Sequence, residues 1–200
     1  MKRVILPFLL LFFIFSSEKF KVHAYSSDPE KFISEIIDEA KLILNSNSSQ
    51  EEKAEKLSAI ALKTVDIKGL AYYTIGKKRK EISSGELKKY EELFEKYFLK
   101  SFTSRLTDYS DPKINVMSAD IVNEKYVIVK TLLLKTDKKP EVKIDWRVYT
   151  KDPQNPLIRD LIVEGLSLAR TQKEEFASIL SSNNNDINVL FSALENFASK

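Results

Sequence analysis

The hydrophobic pattern of this chain changes its period near Asp111 and Pro112, and this change constrains the fold more than any other feature. Before that point apolar residues recur every three or four positions, which is typical of amphipathic helices; between residues 114 and 165 they alternate, which is typical of half-buried strands. The alternating segments are residues 114–122, 125–135, 141–150 and 157–165. Because the connections between them are short, an antiparallel meander is favoured. Helices combined with such a run of strands predict an α+β domain.

Capping signatures predict where the helices begin. Asp28 followed by Pro29 marks the first start. Capping boxes, in which Ser or Thr precedes Glu by three positions, predict further starts at Ser49, Ser83 and Thr171, and Asp186 predicts the last. A short helix over residues 68–75 is expected to end at Gly76. The helix after Ser83 carries an aromatic stripe, a pattern that is core more often than ligand lining, consisting of Tyr90, Phe94, Tyr97, Phe98 and Phe102.

The predicted strands differ in how much shelter from water they need. The third has one apolar face, with Val142, Ile144, Trp146 and Val148, and one polar face, with Lys143, Asp145, Arg147 and Tyr149. The second is apolar on both faces, with Tyr126, Ile128, Leu132 and Leu134 on one and Val127, Val129 and Leu133 on the other. A curved sheet covered by helices would shelter both faces and enclose an apolar cavity. Burial in an ordinary core or a dimer interface explains the same pattern.

The first 24 residues have the composition of a secretory signal peptide. Lys2 and Arg3 precede the apolar run 4–15, and Val22-His23-Ala24 is a small-x-small cleavage pattern. Twelve helical residues span about 18 Å, short of the roughly 30 Å of a bilayer core. We therefore expect cleavage after Ala24, a single domain over residues 25–200 and a periplasmic location.

Removal of that segment changes the charge and the available chemistry. Residues 1–24 carry four basic residues and one acidic residue, a net of +3 that equals the charge of the whole chain, so residues 25–200 are net neutral. This balance gives no broad attraction to nucleic acid, although the basic run Lys77–Lys80 is either a local phosphate-binding patch or a solvated loop. The only histidine, His23, lies in the signal peptide, and the chain has no cysteine. Nucleophilic catalysis by His-dependent triads and ordinary zinc sites are thereby excluded from the mature chain.

Several blocks of the sequence together resemble the MlaC family of periplasmic phospholipid-binding proteins, also called toluene-tolerance auxiliary transport proteins. The blocks are Val65–Ala71 with Gly76, Val127–Thr131, Ile144–Tyr149, Ile158–Ser167 and Thr171–Phe176. The resemblance implies helices packed on a curved four-stranded antiparallel sheet that encloses an apolar pocket for lipid tails.

The resemblance also implies a function and partners. The chain would be a non-enzymatic carrier of glycerophospholipid, without a cofactor and with the bound lipid as cargo. It would exchange lipid with an inner-membrane ABC transporter that bears an MCE-domain protein, and with an outer-membrane lipoprotein complex. This transport maintains the lipid asymmetry of the outer membrane. We expect a monomer that binds no nucleic acid.

Facing and size predict which side chains line the tail pocket. The predicted lining residues are Tyr73, Phe94, Phe98, Val129, Leu132, Trp146, Val148, Leu161 and Val163. Three alternatives remain open, and the first two are a carrier of a hopanoid-like lipid and a small-ligand enzyme of the envelope. The enzyme would use Asp145, Asp160 or Glu164 for acid–base chemistry. A purely structural role, in which the apolar surfaces only pack together, is a third.

Overall fold

The protein is a layer of helices on one antiparallel sheet. The computed structural model describes residues 24–107, 111–137 and 140–199. Its helices are α1 (Pro29–Leu44), α2 (Gln50–Thr64), α3 (Ile67–Ile75), α4 (Ser84–Leu106), α5 (Leu168–Ser181) and α6 (Ile187–Ala198), with a 3-10 helix at Gly76–Lys80. Its strands are β1 (Ile114–Asn123), β2 (Tyr126–Leu133), β3 (Val142–Tyr149), β4 (Leu157–Val163) and β5 (Leu166–Ser167). They lie in sequence order in one open sheet, which confirms the α+β class and adds a short fifth strand to the predicted four.

The N-terminal segment and the capacity of the helices to span a membrane were both considered from the sequence. The predicted signal peptide lies outside the described residues except for Ala24, and the single domain over residues 25–200 stays a prediction. Among the helices that the structure describes, none is both long enough and apolar enough to span a bilayer.

Most helices begin where the capping signatures predict. The carboxylate of Asp28 accepts a hydrogen bond from the Lys31 amide at 2.9 Å, and Pro29 occupies the first turn of α1. Ser49 and Ser83 form complete capping boxes for α2 and α4. Asp186 caps α6. Local side-chain bonds to free amides therefore set these four starts.

The predicted start of α5 at Thr171 is wrong, because the helix begins three residues earlier, at Leu168. Its N-cap is Ser167, whose hydroxyl accepts a hydrogen bond from the Arg170 amide at 3.1 Å. Thr171 instead lies inside the helix and donates its hydroxyl to the Ser167 carbonyl at 3.1 Å.

A tight turn before α5 explains the earlier start. Glu164 and Gly165 both have positive φ, 49° and 83°, as in the type I′ turns that match the twist of a hairpin. The chain therefore reverses at once and pairs as β5 with the end of β4. Glycine is favoured at position 165 because it adopts this conformation without steric cost.

The register of the sheet separates two faces. Trp146 pairs with Val129 on β2 and with Leu161 on β4, so these three side chains share the inner face. Arg147 pairs with Ile128 and Asp160 on the outer face. This arrangement confirms the predicted division of β3 into an apolar inner face and a polar outer face.

The buried apolar residues form two cores. The sheet core joins α1 and α2 to the inner face of the sheet, and its centre includes Ile33, Leu57, Val129 and Val148, each at most 1% exposed. The helix core joins α3, α4, α5 and α6 and contains Tyr90, Phe94, Phe176 and Leu190. Val65, between α2 and α3, packs against both cores.

Candidate functional site

Burial of the inner sheet face decreases along β3 and β4. Val148 on β3 and Ile158 on β4 are 0% and 4% exposed, because α1 and α2 cover that end of the face. Farther along the same face, Trp146 and Ile144 on β3 and Leu161 on β4 are only half-buried. On these two strands the inner face is thus closed near Val148 and Ile158 and less covered near Ile144 and Val163, whereas on β2 the buried side chains are Val129 and Thr131.

Helix α4 carries aromatic side chains from one core to the other. Phe94 is buried in the helix core and stacks on Phe98, with ring centroids 6.3 Å apart. Phe98 stacks in turn on Phe102 at 5.9 Å, with the two rings nearly parallel at 8°. Phe98 lies at the edge of the helix core and Phe102 at the edge of the sheet core, and both are half-buried. The aromatic stripe therefore crosses the border between the cores.

We call the half-buried side chains of this border and of the accessible inner face the apolar seam. Its members are Phe98, Phe102, Leu133, Val142, Ile144, Trp146, Leu161 and Val163. Incompletely buried aromatic and branched side chains that face a sheet are suited to contact with hydrocarbon.

The predicted lining residues fall into four places. Trp146, Leu161, Val163 and Phe98 belong to the apolar seam, whereas Phe94, Val129 and Val148 lie buried in the two cores behind it. Leu132 pairs with Lys143 on the outer face, opposite to Val129 on the same strand. Tyr73 is 43% exposed on α3 and lines a different recess. Lipid contact by these nine residues stays a prediction.

The recess that Tyr73 lines lies between α3 and the outer face of the sheet, and we call it the arginine cleft. Its volume is about 320 Å³, and its charged and aromatic walls include Arg79, Arg147, Arg159, Tyr72 and Tyr126. Tyr72 donates its hydroxyl to Glu91 at 2.5 Å, and this bond, aided by Lys68 at 3.1 Å, holds the pKa of Glu91 below its ordinary value. A partial signal for this cleft is present in the sequence, because Arg79 belongs to the basic run 77–80.

The carboxylates considered for acid–base chemistry do not lie at the apolar seam. Asp160 is 4% exposed and accepts hydrogen bonds from the Ser167 hydroxyl at 2.7 Å and the Ala169 amide at 3.0 Å. It therefore fixes the start of α5. Glu164 accepts a hydrogen bond from the Lys143 amide, and Asp145 pairs with Lys130 on the outer face of the sheet. No group of potential metal ligands occurs within residues 24–107, 111–137 and 140–199.

Comparison with known proteins places this geometry in a family. The sequence profile of the MlaC protein family matches residues 34–196. A solved structure of a phospholipid-binding protein from Ralstonia solanacearum, in complex with a phospholipid, has a similar fold with a TM-score of 0.73. It is 15% identical in sequence, and the alignment covers 86% of this chain and 97% of that chain. A search of the curated proteins gave no match.

The fold and the seam define an α+β protein with an apolar surface between its helices and its sheet. The family match extends over most of the chain, from α1 to α6. The chain belongs to the MlaC family.

Proposed function

We propose that this protein is a periplasmic carrier of glycerophospholipid, with the acyl tails held against the apolar seam. The observation that carries the proposal is the gradient of burial along the inner face of β3 and β4, which leaves Trp146 and Leu161 half-buried beside a closed core. Membership of the MlaC family supports it, as does the likeness in fold to a protein solved with a bound phospholipid.

The energetics of lipid transfer make such a surface necessary. Two acyl tails contain about thirty methylenes, and at about 0.8 kcal/mol each their exposure to water costs about 24 kcal/mol. A carrier must cover most of this hydrocarbon. It must also release the lipid, so its affinity must stay below the full transfer free energy. A seam that covers part of the tails satisfies both requirements.

The partners follow from the same proposal. The carrier would receive or deliver lipid at an inner-membrane ABC transporter with an MCE-domain protein and at an outer-membrane lipoprotein complex. It would thereby maintain the lipid asymmetry of the outer membrane. Binding and exchange need no reacting group, in accord with a seam that is apolar throughout.

A pair of identical substitutions on opposite faces of the sheet tests where the tails bind. Leu161→Trp places a large side chain in the seam, whereas Leu132→Trp places the same side chain on the outer face. Each protein is incubated with phospholipid vesicles and re-isolated, and bound lipid is counted by mass spectrometry. We expect Leu161→Trp to carry several-fold less lipid than wild type and Leu132→Trp to carry the same amount. Equal loading of Leu161→Trp and wild type, or loss only in Leu132→Trp, would contradict the seam as the tail site.

A further inference from the structure

The arginine cleft is separate from the apolar seam. Arg147 and Trp146 are neighbours on β3, so their side chains leave opposite faces of the sheet. Residues of α3 and of the 3-10 helix that follows it also line the cleft. A ligand in the cleft would therefore not occupy the surface proposed for lipid tails.

One arginine of the cleft is fixed by protein contacts. Arg159 donates from Nε to Asp66 Oδ2 at 2.6 Å, and its Nη2 lies 2.6 Å from the same oxygen. Its Nη1 donates to the Tyr126 hydroxyl at 3.0 Å, and its guanidinium lies 3.4 Å from the centroid of the Tyr149 ring. Arg159 is thus a rigid and largely neutralised wall.

The other two arginines, Arg147 and Arg79, have N–H groups that remain available to a ligand. Arg147 has a side chain that is 43% exposed, and its Nη1 lies 3.7 Å from Asp160 Oδ2, too far for a hydrogen bond. Both oxygens of that carboxylate already accept hydrogen bonds from Ser167 and Ala169. Arg79 lies over the Tyr72 ring, 5.7 Å from its centroid. In the described part of the chain, neither guanidinium donates a hydrogen bond to a protein group.

Most charged side chains around the cleft are basic, although Asp160 also lines it and Lys78 pairs with Glu81 at 3.3 Å. Lys77, Lys78 and Lys80 belong to the same 3-10 helix as Arg79, and Lys173 lies over the Tyr73 ring, 4.8 Å from its centroid. A concave site in a positive field concentrates anions. The planar fork of an arginine matches two oxygens of a phosphate, which makes guanidinium groups suited to this ligand.

We propose that the arginine cleft binds a phosphate-bearing anion through Arg79 and Arg147, with Arg159 as a fixed wall. A cleft of about 320 Å³ has room for a phosphate group and a small organic substituent. The phosphate can come from the headgroup of a bound lipid or from a small soluble phosphate compound. This inference rests on the geometry of the arginines and the volume of the cleft, and it does not depend on where the lipid tails bind.

Calorimetric titration of inorganic phosphate into the purified protein, in a low-salt buffer free of phosphate, tests the site. We expect saturable binding that weakens at least tenfold in the double variant R79Q/R147Q. The matched control is K88Q/K96Q, which removes the same charge from exposed positions on α4 and should change the affinity less than twofold. Thermal unfolding of each variant checks that it is folded.

Two preparations distinguish the sources of the phosphate. If a lipid headgroup occupies the cleft, inorganic phosphate should bind only after the protein has been stripped of lipid. If a soluble compound is the ligand, phosphate should bind equally before and after stripping. No saturable binding in either preparation, or equal weakening in R79Q/R147Q and K88Q/K96Q, would overturn the proposal. If the protein binds phosphate but never takes up lipid, that result contradicts the proposed lipid carrier and leaves the proposal for the arginine cleft standing.

Discussion

Trp146 donates its indole N–H to the hydroxyl of Thr131, 3.0 Å away on the inner face of the sheet. Thr131 is 2% exposed, and its hydroxyl donates in turn to the carbonyl of Ile144 at 2.8 Å. The single tryptophan of the chain is thereby anchored at its polar end while its ring remains in the apolar seam. A buried hydroxyl on an otherwise apolar face thus fixes one wall of the candidate site.

Replacing Thr131 by valine should destabilise the protein by about 1–3 kcal/mol, because the indole N–H would lose its partner. Valine has a similar shape, so little volume changes. Urea unfolding followed by the fluorescence of Trp146 measures the effect. The control is Thr171→Val on the exposed surface of α5, which should change the free energy of unfolding by less than about 0.5 kcal/mol. Equal effects of the two substitutions would contradict the anchoring role.

Asp160→Asn should also lower stability, by about 1–3 kcal/mol, because the charged acceptor of the Ser167 hydroxyl and the Ala169 amide is lost. The start of α5 should loosen as a result. Hydrogen exchange at the Ala169 amide and chemical unfolding check this expectation. Asp38→Asn, at a side chain 69% exposed on α1, is the control and should have little effect. Unchanged exchange at Ala169 would show that Asp160 does not hold the helix.

Stability should fall at alkaline pH through Tyr90. This side chain is 0% exposed, and burial raises its pKa above the ordinary 10.0, although the Thr74 hydroxyl at 2.9 Å partly offsets the effect. Because the folded pKa is raised, the contribution is fully present below pH 10 and is lost as the pH rises toward the folded value. The expected slope for one proton is about 1.4 kcal/mol per pH unit.

The variant Tyr90→Phe separates this effect from those of other tyrosines. It should be less stable at neutral pH by about 1 kcal/mol, because it lacks the hydrogen bond to Thr74. Its free energy of unfolding should decline less steeply than that of wild type between pH 10 and 11. Denaturant titrations at successive pH values provide the comparison, and parallel declines would rule out Tyr90 as the titrating group.

Features with a local cause could be predicted from the sequence. The caps at Asp28, Ser49 and Ser83 depend on a side chain and an amide three residues away, and all are formed. The alternation of β3 follows from the pleat of a strand, so its apolar face could be assigned without the partner strands. The α+β class required only these two kinds of pattern.

Features set by tertiary contacts could not be predicted. Thr171 has the sequence of a capping box and Ser167 does not, but the turn at Glu164 and Gly165 and the contact of Ser167 with Asp160 set the earlier start. Alternation along β2 puts Leu132 opposite to Val129, but because both faces of this strand are apolar, only its pairing with β3 shows that Leu132 is on the outer face. The arginine cleft unites residues 79, 147 and 159, which no spacing along the chain connects.

The most direct test of the lipid carrier is analysis of the protein as it leaves the cell. The full chain is expressed with export, purified without detergent and extracted with organic solvent, and the extract is analysed by mass spectrometry. We expect glycerophospholipid in near-stoichiometric amount. An extract containing a hopanoid-like lipid instead, or no lipid from a protein that also fails to take up phospholipid from vesicles, would contradict the account.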